Sequence, residues 1–157
     1  MPRITTFLTY ADQAEEAVNL YTSIFPTSRI LEINRYGDTG PGGAGSVMTA
    51  TFELDGQRFQ ALNGGPSFRF SDGVSLYIDC ADQAEVDYYW EKLGVDGGEP
   101  GQCGWLKDRF GVSWQVIPRA LGTLLGDPDP ARARRALEAM LGMTRLDIAE
   151  LERAANG

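Results

Sequence analysis

The chain has 157 residues, 43% of them hydrophobic, which suits one good core rather than two large domains. Its 22 acidic and 14 basic residues leave a net charge of −8, a field that repels phosphate backbones and anionic lipid heads, so neither nucleic acid nor membrane is an expected partner. Histidine is absent, which removes Ser-His-Asp and Cys-His triads, His-ligated zinc and imidazole acid–base chemistry, and Cys80 and Cys103 are too few for a Cys-rich metal site.

The N-terminal stretch MPRITTFLTYADQ lacks the basic-then-apolar layout of a secretory signal. No apolar run approaches the roughly 20 residues of a membrane span, so a cytoplasmic protein is expected. Ile4, Thr6, Leu8 and Tyr10 alternate with Thr5, Phe7 and Thr9, a period of two that predicts a half-buried strand. The pentapeptide ADQAE follows, with Asp12 as N-cap and Glu15 at N3, an Asp version of the capping box. The helix it opens carries Ala17, Leu20, Tyr21, Ile24 and Phe25 on one stripe and stops at Pro26. Strands are then expected at residues 30–36, 46–54 and 57–63, with Asp55-Gly56 as the tight turn between the last two.

The same pattern then restarts. ADQAE recurs at 81–85, seventy residues after its first copy at 11–15, and again follows an alternating strand. There Val74, Leu76, Ile78 and Cys80 keep the register of the first copy, and Ser75, Tyr77 and Asp79 answer Thr5, Phe7 and Thr9. Asp82 and Glu85 repeat the cap, and the second helix presents Val86, Tyr89, Trp90 and Leu93 before ending at Gly94. A weak strand near 96–101 precedes strands at 103–108 and 112–118, and Gly111-x-x-Trp114-Gln115 rhymes with Gly56-x-x-Phe59-Gln60. Two β-α-β-β-β units therefore span about 3–65 and 73–118, a paired domain over 1–118. Residues 119–157 form a helical tail. Pro130 lies near N1 of one helix, with Leu137, Met140 and Leu141 on its stripe. Thr144 is expected to cap a second helix, with Asp147 at N3. Such stripes must pack on the domain or on a dimer partner.

These residues resemble a known family. The opening strand with ADQAEEAVNLYTSIFP, the linker ALNGGPSFRF and above all CGWLKDRFGVSWQVIP are similar to the PhnB-like branch of the vicinal oxygen chelate superfamily, which also contains glyoxalase, bleomycin-resistance and dioxygenase proteins. The tail ARRALEAMLGMTRLDIAELERAA looks like that family's tail too. Members of the branch often carry the label 3-demethylubiquinone-9 3-methyltransferase. The resemblance implies an α+β, glyoxalase-like fold whose two units curl eight strands around a cleft. It also implies a two-fold homodimer.

In the wider superfamily a divalent metal sits in that cleft, on positions that correspond here to Thr5, Gln60, Ser75 and Gln115. All four are neutral, poor ligands for a divalent cation, although they can meet a polar organic molecule. No metal or other cofactor is therefore expected. Parity places Cys103, Trp105 and Lys107 on one face of the seventh strand and Ser113 and Gln115 on one face of the eighth. The resemblance turns these faces, with Thr5, Phe7, Ser75, Tyr77 and Gln60, toward the cleft.

Other readings stay open. Trp105 suits either core or cleft, whereas Trp90 and Trp114 read as core. Cys103 has no histidine or adjacent lysine to activate it, and packing explains it as well as nucleophilic chemistry does. Asp79 and Arg58 share the inward parity but suit a solvent-exposed rim equally, so no catalytic residue is assigned. The run Asp38-Thr-Gly-Pro-Gly-Gly-Ala-Gly45 leads into a strand rather than a helix, which argues for a hairpin connection and against a cofactor loop. The leading expectation is a metal-free protein that shelters a small polar or aromatic molecule. Its rivals are a metal-dependent lyase, dioxygenase or resistance-type transferase, and the labelled quinone methyltransferase.

Overall fold

In each half of the chain the last strand returns to lie parallel beside the first. The computed structural model describes all of residues 1–157 and divides them into two compact units, Met1–Phe70 and Ser71–Gly157. The first unit runs β1 (Thr6–Tyr10), α1 (Ala14–Ile24), β2 (Ser28–Arg35), β3 (Val47–Leu54) and β4 (Gln57–Asn63), with strand order β1-β4-β3-β2. The second runs β5 (Leu76–Cys80), α2 (Gln83–Leu93), β6 (Glu99–Pro100), β7 (Trp105–Lys107) and β8 (Ser113–Pro118), with order β5-β8-β7-β6. The eight expected strands thus form two four-stranded sheets of identical topology, an α+β fold.

The register confirms that the repeat is structural. Phe7 pairs with Gln60 across β1 and β4, and Tyr77 pairs with Gln115 across β5 and β8. In the first unit, α1 buries Ala14, Ala17, Val18, Tyr21 and Ile24 against the sheet face that carries Leu8, Ala50, Phe52, Phe59 and Ala61. Phe52 and Phe59 stack there with ring centroids 5.4 Å apart. Val18 takes the core place assigned above to Leu20, which is half-buried. The Asp55-Gly56 turn forms as expected, with φ of 49° and 77°.

The two copies of ADQAE cap their helices differently. Asp82 accepts a 2.9 Å bond from the Glu85 N–H, as a capping aspartate should, and Glu85 accepts one of 2.7 Å from the Ala81 N–H. Asp12 makes no such bond. The N-cap of α1 is Gln13, and the Ala14 N–H instead donates 2.8 Å to Oδ1 of the buried Asn63. Asn63 also donates 2.9 Å to the Val47 carbonyl. By register Asn63 corresponds to Pro118, since Tyr10 pairs with one and Cys80 with the other. Proline has no side-chain acceptor, so only the second helix must cap itself.

Three further expectations are corrected. Cys103 is not in β7, because Cys103 and Gly104 (φ 58° and 85°) form a tight turn, closed by the Trp105 N–H donating 3.0 Å to Gln102 O. The signature hides because the left-handed residue before glycine is Cys rather than Asn or Asp. A helix α3 (Arg119–Leu125) follows β8 directly and was missed, since Gly122 interrupts it and Pro118 offers no capping side chain. Helix α4 (Pro130–Leu141) starts with proline at N1 as expected, but Asp147, not Thr144, caps α5 (Ile148–Asn156).

The tail belongs to the second unit. Ile117 of β8 and Leu121 of α3 are buried with Leu146 and Leu151 in one cluster. Cys103 and Gly104 donate backbone bonds of 2.8 and 2.7 Å to the Met143 and Thr144 carbonyls. Gln83 of α2 donates 3.0 Å to Leu146 O and accepts 2.8 Å from the Ile148 N–H. A Cβ on Gly104 would lie 2.8 Å from Ile117 Cδ1 and 2.9 Å from Val116 O. Gly104→Ala should therefore cost roughly 2–4 kcal/mol through crowding and the positive φ. Its urea midpoint should fall accordingly, and an unchanged midpoint would show that Gly104 is not held against β8 in this turn.

Candidate functional site

Directly paired residues on neighbouring strands point to the same face, so the registers define what each sheet presents away from its helix. In the second unit, Tyr77, Gln115 and Trp105 form one row across β5, β8 and β7. Ser75 lies just before β5, and its hydroxyl accepts a 2.9 Å bond from the Gln115 amide. The next row pairs Ser113 with Lys107 and Lys107 with Glu99. Tyr77 is 59% exposed and Trp105 36% exposed, so neither ring is a core residue in this structure. Burial, then the Asp79 carboxylate, hold the Tyr77 phenol above its ordinary range, so it stays a neutral donor.

Beside Trp105 lies a shallow cavity of about 170 Å³, walled by Trp105, Leu106, Pro100 and Gly101 and edged by Asp72, Glu99, Lys107 and Ser113. Lys107 Nζ sits 2.7 Å from Asp72 Oδ1, and that contact holds the ammonium's pKa up. Trp114, on the opposite face, is buried, and its indole N–H donates 2.9 Å to Asp108 Oδ2. Trp90 is half-buried on α2. Cys103, displaced into the turn before β7, does not share the strand parity that would align it with Trp105 and Lys107.

The first unit presents the equivalent row Phe7, Gln60 and Thr51, with Phe7 50% exposed and Thr5 half-buried just before β1. Its flank is charged. Glu53 lies 3.1 Å from Arg29 and 3.9 Å from Arg58, and in the other unit Asp79 pairs with Arg119 at 2.9 Å. Arg58 and Asp79 are therefore rim residues committed to surface ion pairs.

The glycine-rich segment after β2 is a hairpin connection, tied by Gly45 N–H to Gly37 O at 3.1 Å. Arg35 reaches from the end of β2 to grip both Glu15 oxygens at 3.0 and 2.7 Å, and the contact lowers the Glu15 pKa. No strand-to-helix phosphate cradle exists there.

The four positions that the resemblance would equate with metal ligands, Thr5, Gln60, Ser75 and Gln115, carry two hydroxyls and two amides, and the Gln115 amide already bonds the Ser75 hydroxyl. Such a set does not fit a resident divalent cation, which takes anionic or imidazole donors. Nor do three or more Asp, Glu or Cys side chains converge anywhere else in a ligating group.

A family model described as 3-demethylubiquinone-9 3-methyltransferase matches residues 2–117. The chain belongs to this PhnB-like family. A PhnB protein from Bacillus cereus, provisionally described as that methyltransferase, is 40% identical over 74% of this chain and 99% of its own, with a TM-score of 0.69. Protein PA1353 from Pseudomonas aeruginosa, at 20% identity and a TM-score of 0.62, covers 75% of this chain and 98% of its own and shares the fold. So does the fosfomycin resistance protein FosX from Listeria monocytogenes, at 13% identity and a TM-score of 0.51, with 75% and 93% covered. The glyoxalase-like fold is thereby shown. No curated protein matches the chain. The family match ends at residue 117, so the resemblance read above into the tail lies outside it. No helix of this PhnB-like protein is long and apolar enough to cross a membrane.

Cys80 gives this sheet a titratable marker. Its thiol is buried at the end of β5, and burial, aided by the Glu85 and Asp79 carboxylates, pushes its pKa up from 9.0 to about 12. The folded state then keeps a proton that the unfolded state loses, so this contribution to stability falls as pH rises from about 9 to 12 and is constant below that window. Native protein at pH 8 should leave Cys80 unalkylated by iodoacetamide until urea unfolds it. Cys80→Ala should lose stability less steeply above pH 9 than the parent, and parallel pH curves would show that the thiol is not held in this environment.

Proposed function

We propose that this PhnB-like protein binds one small, flat organic molecule on the sheet face bearing Tyr77, Gln115 and Trp105, without using a metal. The observation that carries the reading is Trp105, a large aromatic ring left substantially exposed beside a cavity of about 170 Å³. The indole offers stacking area, and Gln115, oriented by Ser75, and Tyr77 offer hydrogen bonds at the edge of that ring. In the first unit, Phe7, Gln60 and Thr5 supply the matching aromatic and amide chemistry. The glycine-rich hairpin and the neutral donors give the methyltransferase label and the metal-dependent rivals no chemical support beyond kinship.

The same reading includes a two-fold homodimer in the cytoplasm. β1 and β2 are edge strands of one sheet, β5 and β6 of the other, and edges are commonly covered by pairing between chains.

Native mass spectrometry of the purified protein should reveal a co-purifying aromatic molecule, whose rebinding quenches tryptophan fluorescence. Trp105→Ala should abolish that binding and cost less than the roughly 3–5 kcal/mol of a fully buried tryptophan truncation. Undiminished binding by the variant, or the full core penalty, would refute the assignment.

A further inference from the structure

The charges around the Trp105 cavity are unequal, and that inequality selects among ligands. Three charged side chains edge it: Asp72, Glu99 and Lys107. Lys107 is already engaged by Asp72 at 2.7 Å, so one ammonium serves two carboxylates. Glu99 lies directly across from Lys107 on β6 and acts on the same ammonium at longer range, without a hydrogen bond to it. The rim therefore carries two carboxylates and one ammonium, a net single negative charge, beside an exposed indole face.

Resting on the site reading above, we propose that Glu99 is the specificity-determining residue of this cavity and that the ligand is an organic monocation with a single flat ring or short apolar body. A cation over an indole face gains from the ring quadrupole, and the net negative rim adds Coulomb attraction. An anionic ligand faces the opposite balance. To reach Lys107 it must displace Asp72, and it must then sit beside Glu99. The chain's net charge of −8 reinforces the same sign at long range. The walls contributed by Pro100, Gly101 and Leu106 remain apolar, so the cationic group belongs at the rim and the ring inside.

The test titrates the full chain with three shape-matched probes, benzylamine (protonated at pH 7), benzyl alcohol and benzoate, read by tryptophan fluorescence. Benzylammonium should bind about tenfold more tightly than benzoate, a difference that shrinks at high salt. Glu99→Gln should erase the preference, bringing benzylammonium affinity down to that of benzyl alcohol measured on the same variant. Equal binding of all three probes, a preference for benzoate, or a preference surviving Glu99→Gln overturns the charge rule and leaves the site in place. Failure of all three to perturb Trp105 overturns the site itself, and this inference with it.

Discussion

The buried carboxylate of Asp108 fixes the hairpin on which the proposed site is built. Its Oδ1 accepts the Phe110 and Val112 N–H groups at 3.0 Å each, and its Oδ2 accepts the Trp114 indole at 2.9 Å. Bonds to a charged acceptor are worth about 1.5–3 kcal/mol each, so this one side chain concentrates much of the local stability. Gly111 completes the turn at φ 93° and donates 3.0 Å back to Asp108 O. The Asp-Arg-Phe-Gly segment is thus a structural clamp. It closes the β7–β8 hairpin that sets Trp105 opposite Gln115, and a one-residue slip would turn both to the other face.

Around that hairpin the chain shows how one unit, used twice, diverges under local constraint. Identical ADQAE segments are capped from a neighbouring strand in the first unit and by their own aspartate in the second. The difference traces to Asn63 against Pro118 at the end of the closing strand. Pro118 in turn leads straight into α3, and the three C-terminal helices pack on the second unit through Gln83, Gly104 and the Leu146 cluster. Because the tail carbonyls hold the backbone of Cys103 and Gly104, the tail is joined to the residues immediately before Trp105.

The fold was largely legible because its signals are local. Alternation gave the strands, the repeated pentapeptide gave the unit, and Asp55-Gly56 and Pro130 marked a turn and a helix start. What escaped was set by tertiary contact or unusual turn chemistry. The Asn63 cap joins residues far apart in sequence, the Cys103-Gly104 turn lacks an Asn or Asp, and α3 begins without a capping side chain. The site row was half legible. Parity correctly aligned Trp105 with Lys107 and Ser113 with Gln115, because those residues lie within true strands. It failed for Cys103 at the point where the strand had already ended. Glu99 carried no signal, since β6 is only Glu99–Pro100 and nothing in its spacing announces its neighbour Lys107.

The proposed site exists only if Tyr77, Gln115 and Trp105 form one row on a face of one sheet. Nuclear Overhauser contacts from the Trp105 indole in the isotope-labelled full chain test that arrangement most directly. Cross-strand contacts should run from Trp105 to Gln115 and from Gln115 to Tyr77, with the Trp114 indole N–H protected from exchange by Asp108. Contacts from Trp105 to Trp114 or Val116 in place of Gln115 would reveal a shifted register, and the proposed site would not exist.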